Sequence, residues 1–388
     1  MANLFLVPHN IISGEDALKM GADLLAGVGK KALIVTDKAM VDLGNVKKLT
    51  DELDARSISY YVYADINTEP VNSMIDVGVD LYKKEKCDFL IAIGGGSPID
   101  AMKAIGAVFA NGGSINDYMG KKIEIAPPKM CAIPTTAGTG SEATKVSIIT
   151  NTETSVKMLL MDPKLMVDYA ILDSVFTMTL PPSVTSATGV DALTHALEAY
   201  TSKKAFPLSD IYALSAIKKI FENLYEVYSN GSNAEARRKM LIAAFEAGVA
   251  FSNSSVTIVH GMSRPIGALF HVPHGMSNAM LLKVCLSYLK PGAINELCEL
   301  SKAIGVYKDG MTAEQGADAF VAATFELLAK LNLKTPADYN ISKDEFFKYI
   351  PKMAGDAMKS GSPLNTRRTP TEDDLKVLYE EFWNDCAK

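Results

Sequence analysis

Imidazole, thiol and indole are all scarce in this 388-residue chain, which has five histidines, five cysteines and one tryptophan. The cysteines, Cys87, Cys131, Cys285, Cys298 and Cys386, are odd in number, scattered and never in a CxxC pair. A disulfide framework and a thiolate zinc site are therefore not expected, and buried reduced thiols are. Positive charge is also in short supply: 39 Lys and Arg stand against 45 Asp and Glu, a net charge of −6. No basic run or stripe is present that could displace counterions from a polyanion, so nucleic acid is not an expected partner. No apolar run approaches the roughly 18 residues of a membrane span. The opening MANLFLVPHNIISGEDALKM lacks a basic segment followed by a long apolar core. A cytoplasmic protein with small-molecule partners and no membrane attachment is the expectation.

Apolar residues make up 48% of the chain and charged residues 22%, an average globular mix. A chain this long is expected to form two domains around a cleft. Runs rich in β-branched residues, KALIVTD (31–37), YYVYAD (60–65), DFLIAIGGG (88–96) and MCAIPTT (130–136), alternate with segments of helical period. Strands fed by crossover helices predict a parallel sheet covered on both faces, a Rossmann-like lobe. KVSIIT, VKMLLMD and AILD (145–173) have strand character without long helices between them and predict a hairpin-like addition. From Pro181-Pro182 onward the signals are helical only. The predicted fold is α/β over 1–180 followed by an all-helical domain over 181–388.

Neither GxGxxG nor GxxxxGK[ST] occurs, so the standard dinucleotide and triphosphate fingerprints are missing. Instead, Gly95, Gly96 and Ser97 close a strand and open a helix, where backbone amides and the helix terminus can hold phosphate. A tight turn is the other reading. A second loop, IPTTAGTGSEAT (133–144), offers Thr135, Thr136 and Thr139 from another strand end, and two such loops on one sheet edge point to a dinucleotide. Asp37 at the end of ALIVTD suits a ribose diol and would repel a 2′-phosphate, favouring NAD over NADP; helix capping is its alternative role.

In GVDALTHALEAY (189–200), Asp191 and His195 are four apart on one helix face. Alone, such a pair is more often a surface hydrogen bond. His260 and His274, each followed by glycine in VHGMSRPIGALFHVPHG, complete a set of one carboxylate and three imidazoles. That set suits a divalent ion such as Fe²⁺, or Zn²⁺, with one position open to substrate oxygen.

Together, GGGSPID, PTTAGTGSE, ATGVDALTHALEAY and VHGM…VPHG resemble the iron-containing (group III) alcohol dehydrogenase family, which includes lactaldehyde and 1,3-propanediol oxidoreductases. The resemblance spans nearly the whole chain. It implies a dehydroquinate synthase-like fold, NAD(P) in the cleft, and a homo-oligomer, a dimer or a multiple of dimers. Metal ligands would be Asp191, His195, His260 and His274. Asp37 would meet the adenosine ribose, Gly95, Gly96 and Ser97 the phosphates, and Thr135, Thr136 and Thr139 the second side. Asp100 would lie near the nicotinamide and Lys157 would reach a ribose. The implied reaction is hydride transfer between an alcohol and NAD, giving an aldehyde or ketone.

Two departures stand out. Many members carry histidine where this chain has Arg264, and Glu69 precedes Pro70 where the family often has Pro-Asn-Pro. His271 is then the remaining imidazole able to relay a proton, or it simply packs ahead of His274. Arg264, facing substrate, could pair with a carboxylate or sulfonate; a structural ion pair is its other reading. A zinc-type polyol dehydrogenase, a dehydroquinate synthase-like lyase and a non-enzymatic assembly protein are the rivals. The lyase would need more basic residues near the ligands than Arg264 alone.

Overall fold

The computed structural model describes residues 2–154 and 156–386. It divides into two compact units, one spanning Leu6–Leu180 and one running from Pro181 onward that also takes the N-terminal residues up to Phe5. The N-terminal residues thus depart from the expected 1–180 grouping. The cause is aromatic packing: the Phe5 ring stacks on Tyr212 at 5.6 Å and meets Phe206 edge-on at 6.2 Å.

The first unit holds strands β1 (Asn10–Ser13), β2 (Lys31–Val35), β3 (Ser59–Tyr63), β4 (Phe89–Gly94), β5 (Met130–Pro134), β6 (Val146–Asn151), β7 (Val156–Met161) and β8 (Tyr169–Leu172). Its helices are α1 (Ala17–Leu25), α2 (Lys38–Asp42), α3 (Asn45–Asp54), α4 (Asn72–Lys84) and α5 (Gly96–Asn111). Six strands form one parallel sheet in the order β1-β8-β5-β4-β2-β3. All of β4 and β5 is buried, because helices cover both faces and leave no strand face for polar residues. On one face Ile34, Ile91 and Ile133 share a cluster with Leu25, Leu49 and Leu53 of α1 and α3. Leu90, one residue out of phase, instead lies beside Gly106 of α5.

The order of chain travel reverses between β2 and β4, and crevices at such reversals bind ligands at the strands' carboxyl ends. Those ends are stitched together here. Thr36 Oγ1 donates to the Ile93 carbonyl at 2.7 Å, and the Thr135 amide to the Gly94 carbonyl at 2.9 Å.

The hairpin expectation holds for β6 and β7, which pair antiparallel. It fails for AILD: β8 enters the main sheet between β1 and β5. Burial explains the difference, since β7 alternates between buried and exposed while Ala170, Ile171 and Leu172 are all buried. Strand β1 has no counterpart in the expected pattern; it is four residues long and buries only Ile12.

The second unit contains α6 (Pro182–Thr201), α7 (Pro207–Ser229), α8 (Ala234–Asn253), α9 (Ile258–Phe270), α10 (His274–Leu289), α11 (Ile294–Ala303), α12 (Ala313–Ala329), α13 (Lys343–Lys359) and α14 (Glu372–Cys386). Helix α6 packs against α7, α8 and α10 and is buried nearly all round, so its polar residues Asp191, His195 and Glu198 are interior. Among the described residues no single helix is long and apolar enough to cross a membrane, and all five cysteines are free.

Candidate metal centre and nucleotide loops

Three helices of the second unit meet around one small polar volume. Asp191 and His195 project from the same face of α6, His260 comes from the first turn of α9, and His274 opens α10 behind Pro273. One ligand atom from each of these four lies within 4.8 Å of the other three. Asp191 Oδ1 is 3.9 Å from Nε2 of both His260 and His274. The His195 ring is sandwiched between Phe251 at 4.2 Å and His260 at 4.5 Å. Gly275 makes the approach of α10 feasible, since a Cβ there would lie 2.9 Å from the Ala187 carbonyl and 3.3 Å from Asp191 Cβ.

Burial alone would raise the Asp191 carboxyl, but the three imidazoles and an amide from Asn278 outweigh it and hold the group below its ordinary value. Burial and the neighbouring imidazoles push His260 well down. An ionised carboxylate beside neutral imidazole is the protonation pattern a cation requires.

Two supporting residues lie outside the set the sequence singles out. Glu198, fully buried on α6, accepts from Thr257 Oγ1 at 2.8 Å and the Val259 amide at 2.6 Å. Its second oxygen lies 2.6 Å from His260 Nδ1. With two other donors already on it, Glu198 is the acceptor, so Nδ1 carries the proton and Nε2 presents its lone pair on the side of Asp191, 3.1 Å from the Asn278 amide nitrogen. Asn278, one turn after His274, donates to Asp191 Oδ1 at 2.7 Å. The available signal is spacing: Glu198 follows His195 by three residues and Asn278 follows His274 by four, each on its ligand's face. Replacing Glu198 with Gln would turn an NH₂ toward His260 and favour the tautomer with its proton on Nε2. Affinity for a divalent ion is expected to fall about 10- to 100-fold. Titrating apo-protein with Co²⁺ measures it, and an unchanged dissociation constant would reject the role.

The first unit carries the loops. Gly94 sits at φ +155, where a Cβ would come within 2.6 Å of Pro98 Cγ and 3.4 Å of Asp37 Oδ2. Helix α5 has Gly95 at its N-cap, with no side chain capping its amides. Gly96 borders the second loop, with Ser141 Oγ and Thr139 Cγ2 both 3.2 Å from where its Cβ would be. Buried hydroxyls of Thr135 and Thr136 have no hydrogen-bond partner. An uncapped helix start facing glycines and orphaned hydroxyls is a donor set that fits a diphosphate. Asp37 uses one oxygen to cap α2, accepting from the Met40 amide at 2.9 Å, and turns the other toward Gly94. Burial pushes its carboxyl up, against backbone amides that lower it.

The family model for iron-containing alcohol dehydrogenase matches residues 8–174, and the model for the family's C-terminal part matches 185–383. The chain belongs to the iron-containing alcohol dehydrogenase family. It is 36% identical over 325 residues to an NAD-dependent methanol dehydrogenase of Bacillus methanolicus, covering 83% of this chain and 85% of that one. With lactaldehyde reductase of Escherichia coli K12 it shares 33% identity over 390 residues, 99% of this chain and 100% of the relative. A crystal structure of 1,3-propanediol oxidoreductase superposes with a TM-score of 0.94 at 32% identity, covering 98% and 100% of the two chains. This iron-containing alcohol dehydrogenase is thus an oxidoreductase of alcohols and aldehydes that uses a nicotinamide nucleotide and a metal.

The remaining expected site residues make contacts of their own. Lys157 forms an ion pair with Glu69, Nζ to Oε2 2.6 Å; the residue implied for the ribose thus meets the residue that departs from the family pattern. Asp100 accepts from the Ile148 amide at 3.0 Å, tying α5 to the hairpin, and burial raises its carboxyl to about 6. His271 is exposed and ends α9 in the left-handed conformation, φ 55, outside the four-residue cluster. Arg264 is half-buried one turn after His260. Lys103, which the sequence does not single out, is fully buried in α5 and donates to the Ser141 carbonyl at 2.6 Å, the Thr144 carbonyl at 2.7 Å and the Val146 carbonyl at 2.9 Å.

Proposed function

We propose that this dehydrogenase interconverts short-chain primary alcohols and aldehydes with NAD, using Fe²⁺ held by Asp191, His195, His260 and His274. The observation that carries this reading is the convergence of four ligand atoms from three helices within 4.8 Å. The ion, when bound, supplies Lewis-acid polarisation of the substrate oxygen, and NAD supplies hydride chemistry. The chain's own contribution is positioning. Asp191 and His260 are nearly inaccessible, whereas the His274 side chain is 36% exposed, so substrate approaches from the His274 side. Glu198 and Asn278 fix the ligand orientations, and His271, three residues before His274 on the solvent side, relays the proton. Gly95, Gly96, Ser97, Thr135, Thr136 and Thr139 hold the diphosphate, with Asp100 and Lys157 bordering the nucleotide. The names of the relatives, acting on methanol and lactaldehyde, support short substrates. We also expect a homo-oligomer, which sedimentation would measure.

The test is metal analysis of anaerobically purified protein together with an aldehyde panel run with NADH and NADPH. Bound Fe²⁺ and faster NADH oxidation are the expected results; a protein that retains no metal and oxidises neither nucleotide rejects the reading. Asp37→Gly removes the carboxylate facing the 2′ position and is expected to shift the NADH to NADPH ratio of kcat/KM by at least about tenfold toward NADPH. An unmoved ratio would assign Asp37 to helix capping alone.

A further inference from the structure

We propose that Arg264 makes this enzyme selective for substrates bearing an oxyanion terminus, a carboxylate or sulfonate two to four carbons from the reacting carbon. The inference rests on the metal-site reading above and names the substrate class of that site. Arg264 follows His260 by four residues on α9, so the two side chains share a face with Cβ atoms about 5–6 Å apart. Its Nη1 donates to Ser362 Oγ at 3.0 Å, from the turn that packs on Gly261. Among the described residues no carboxylate lies within the 4.0 Å ion-pair distance of it, whereas Arg56, Arg238 and Arg367 each have an acidic partner. The structural ion pair that the sequence leaves open is therefore not made.

Glu198 acts on Arg264 only from beyond that distance, and its oxygens are committed to Thr257, Val259 and His260. A half-buried guanidinium with one hydroxyl partner retains donors in a fixed planar fork, the geometry that takes an oxyanion by two parallel hydrogen bonds. Burial lowers its pKa, outweighing the more distant charge of Glu198. The guanidinium also acts electrostatically on His260, which places its charge within reach of the ligand set. A substrate whose oxygen sits at the ligands and whose other end carries negative charge would complete both.

The experiment uses metal-loaded full-length enzyme with NADH and matched aldehydes: 4-oxobutanoate and 3-oxopropanesulfonate against methyl 4-oxobutanoate and butanal. The wild type is expected to favour the anions by about 30-fold or more in kcat/KM, and Arg264→Gln to reduce that ratio by a similar factor. Arg264→Lys, which keeps charge without the fork, is expected to fall between. Whichever anion leads identifies carboxylate or sulfonate as the terminus. Inhibition of wild type by propionate but not by propionamide gives a readout independent of any variant's folding. A wild-type ratio near one, a ratio unmoved by Arg264→Gln, or equal inhibition by the two propionyl compounds overturns the inference while leaving the dehydrogenase intact. Failure with all four aldehydes overturns the dehydrogenase reading and this inference together.

Discussion

Replacing Asp191 with asparagine is expected to lower kcat/KM by about a thousandfold or more and to leave the protein unable to retain a divalent ion. The side chain is 1% exposed and sits among three imidazoles, so the substitution changes charge with almost no change in volume. Hydrogen bonding survives, because the new amide oxygen can accept from Asn278 as the carboxylate does at 2.7 Å. What disappears is the only negative charge among the four converging groups. A cation would then have to leave water for a buried pocket of neutral ligands, which costs several kcal/mol, and the transition-state stabilisation the ion supplies is of similar size. About 4 kcal/mol corresponds to a thousandfold in rate. Metal content after dialysis, steady-state kinetics and thermal denaturation of the apo-proteins check the three parts of the claim. Added Fe²⁺ should restore chelator-treated wild type but not the variant. Activity within tenfold of wild type would show that Asp191 is not a ligand.

The four converging side chains are legible in the sequence because each leaves a local mark: a four-residue spacing in α6, and histidine-glycine pairs at the starts of α9 and α10. Glu198 leaves only a weak one, its spacing from His195, since a glutamate among Ala and Leu reads equally as a solvated helix face. Only the approach of Thr257 and His260 from another helix gives it a role. The same distinction runs through the fold. Strands β2, β4 and β5 are continuous apolar runs separated by helices, a pattern set by local composition. Strand β8 follows β7 with only a short turn, Pro163–Leu165, between them, so sequence neighbourhood suggests a pairing that the sheet does not make. Its actual partners, β1 and β5, are distant in the chain, as Tyr212 is from Phe5. Lys103 shows the limit most clearly, because SPIDAMKAIG looks like a helix with one solvated lysine.

Substituting that lysine by methionine is expected to destabilise the first unit by about 3 kcal/mol and to loosen the second nucleotide loop. The ammonium is fully buried and holds the carbonyls of Ser141, Thr144 and Val146 and the hydroxyl of Thr144, the segment joining that loop to the hairpin. Methionine fills the space but leaves those acceptors without a donor and removes the countercharge for two carboxyls, Asp100 and Glu142. Burial lowers Lys103 to about 8 and raises Glu142, 1% exposed, to about 7. The signs follow from linkage. Folded Glu142 keeps its proton to a higher pH than the unfolded chain, whose value is 4.5, so stability falls as pH rises from about 4.5 to about 7. Folded Lys103 gives up its proton earlier than the unfolded value of 10.5, so stability recovers between about pH 8 and 10.5. Glu142→Gln should remove the larger part of the lower limb, leaving the share of Asp100, whose carboxyl burial raises from 3.8 to about 6, and stabilise the protein above pH 7 by about 3 kcal/mol, since a tenfold change in proton affinity is worth about 1.4 kcal/mol. Lys103→Met should remove the upper limb while weakening NADH binding about tenfold, through the slackened loop. Amide hydrogen exchange across residues 139–148 as a function of pH, with NADH fluorescence titration, measures both effects. A flat pH profile in wild type, or a Lys103→Met protein with unchanged loop protection, would show that the buried charges carry no such load.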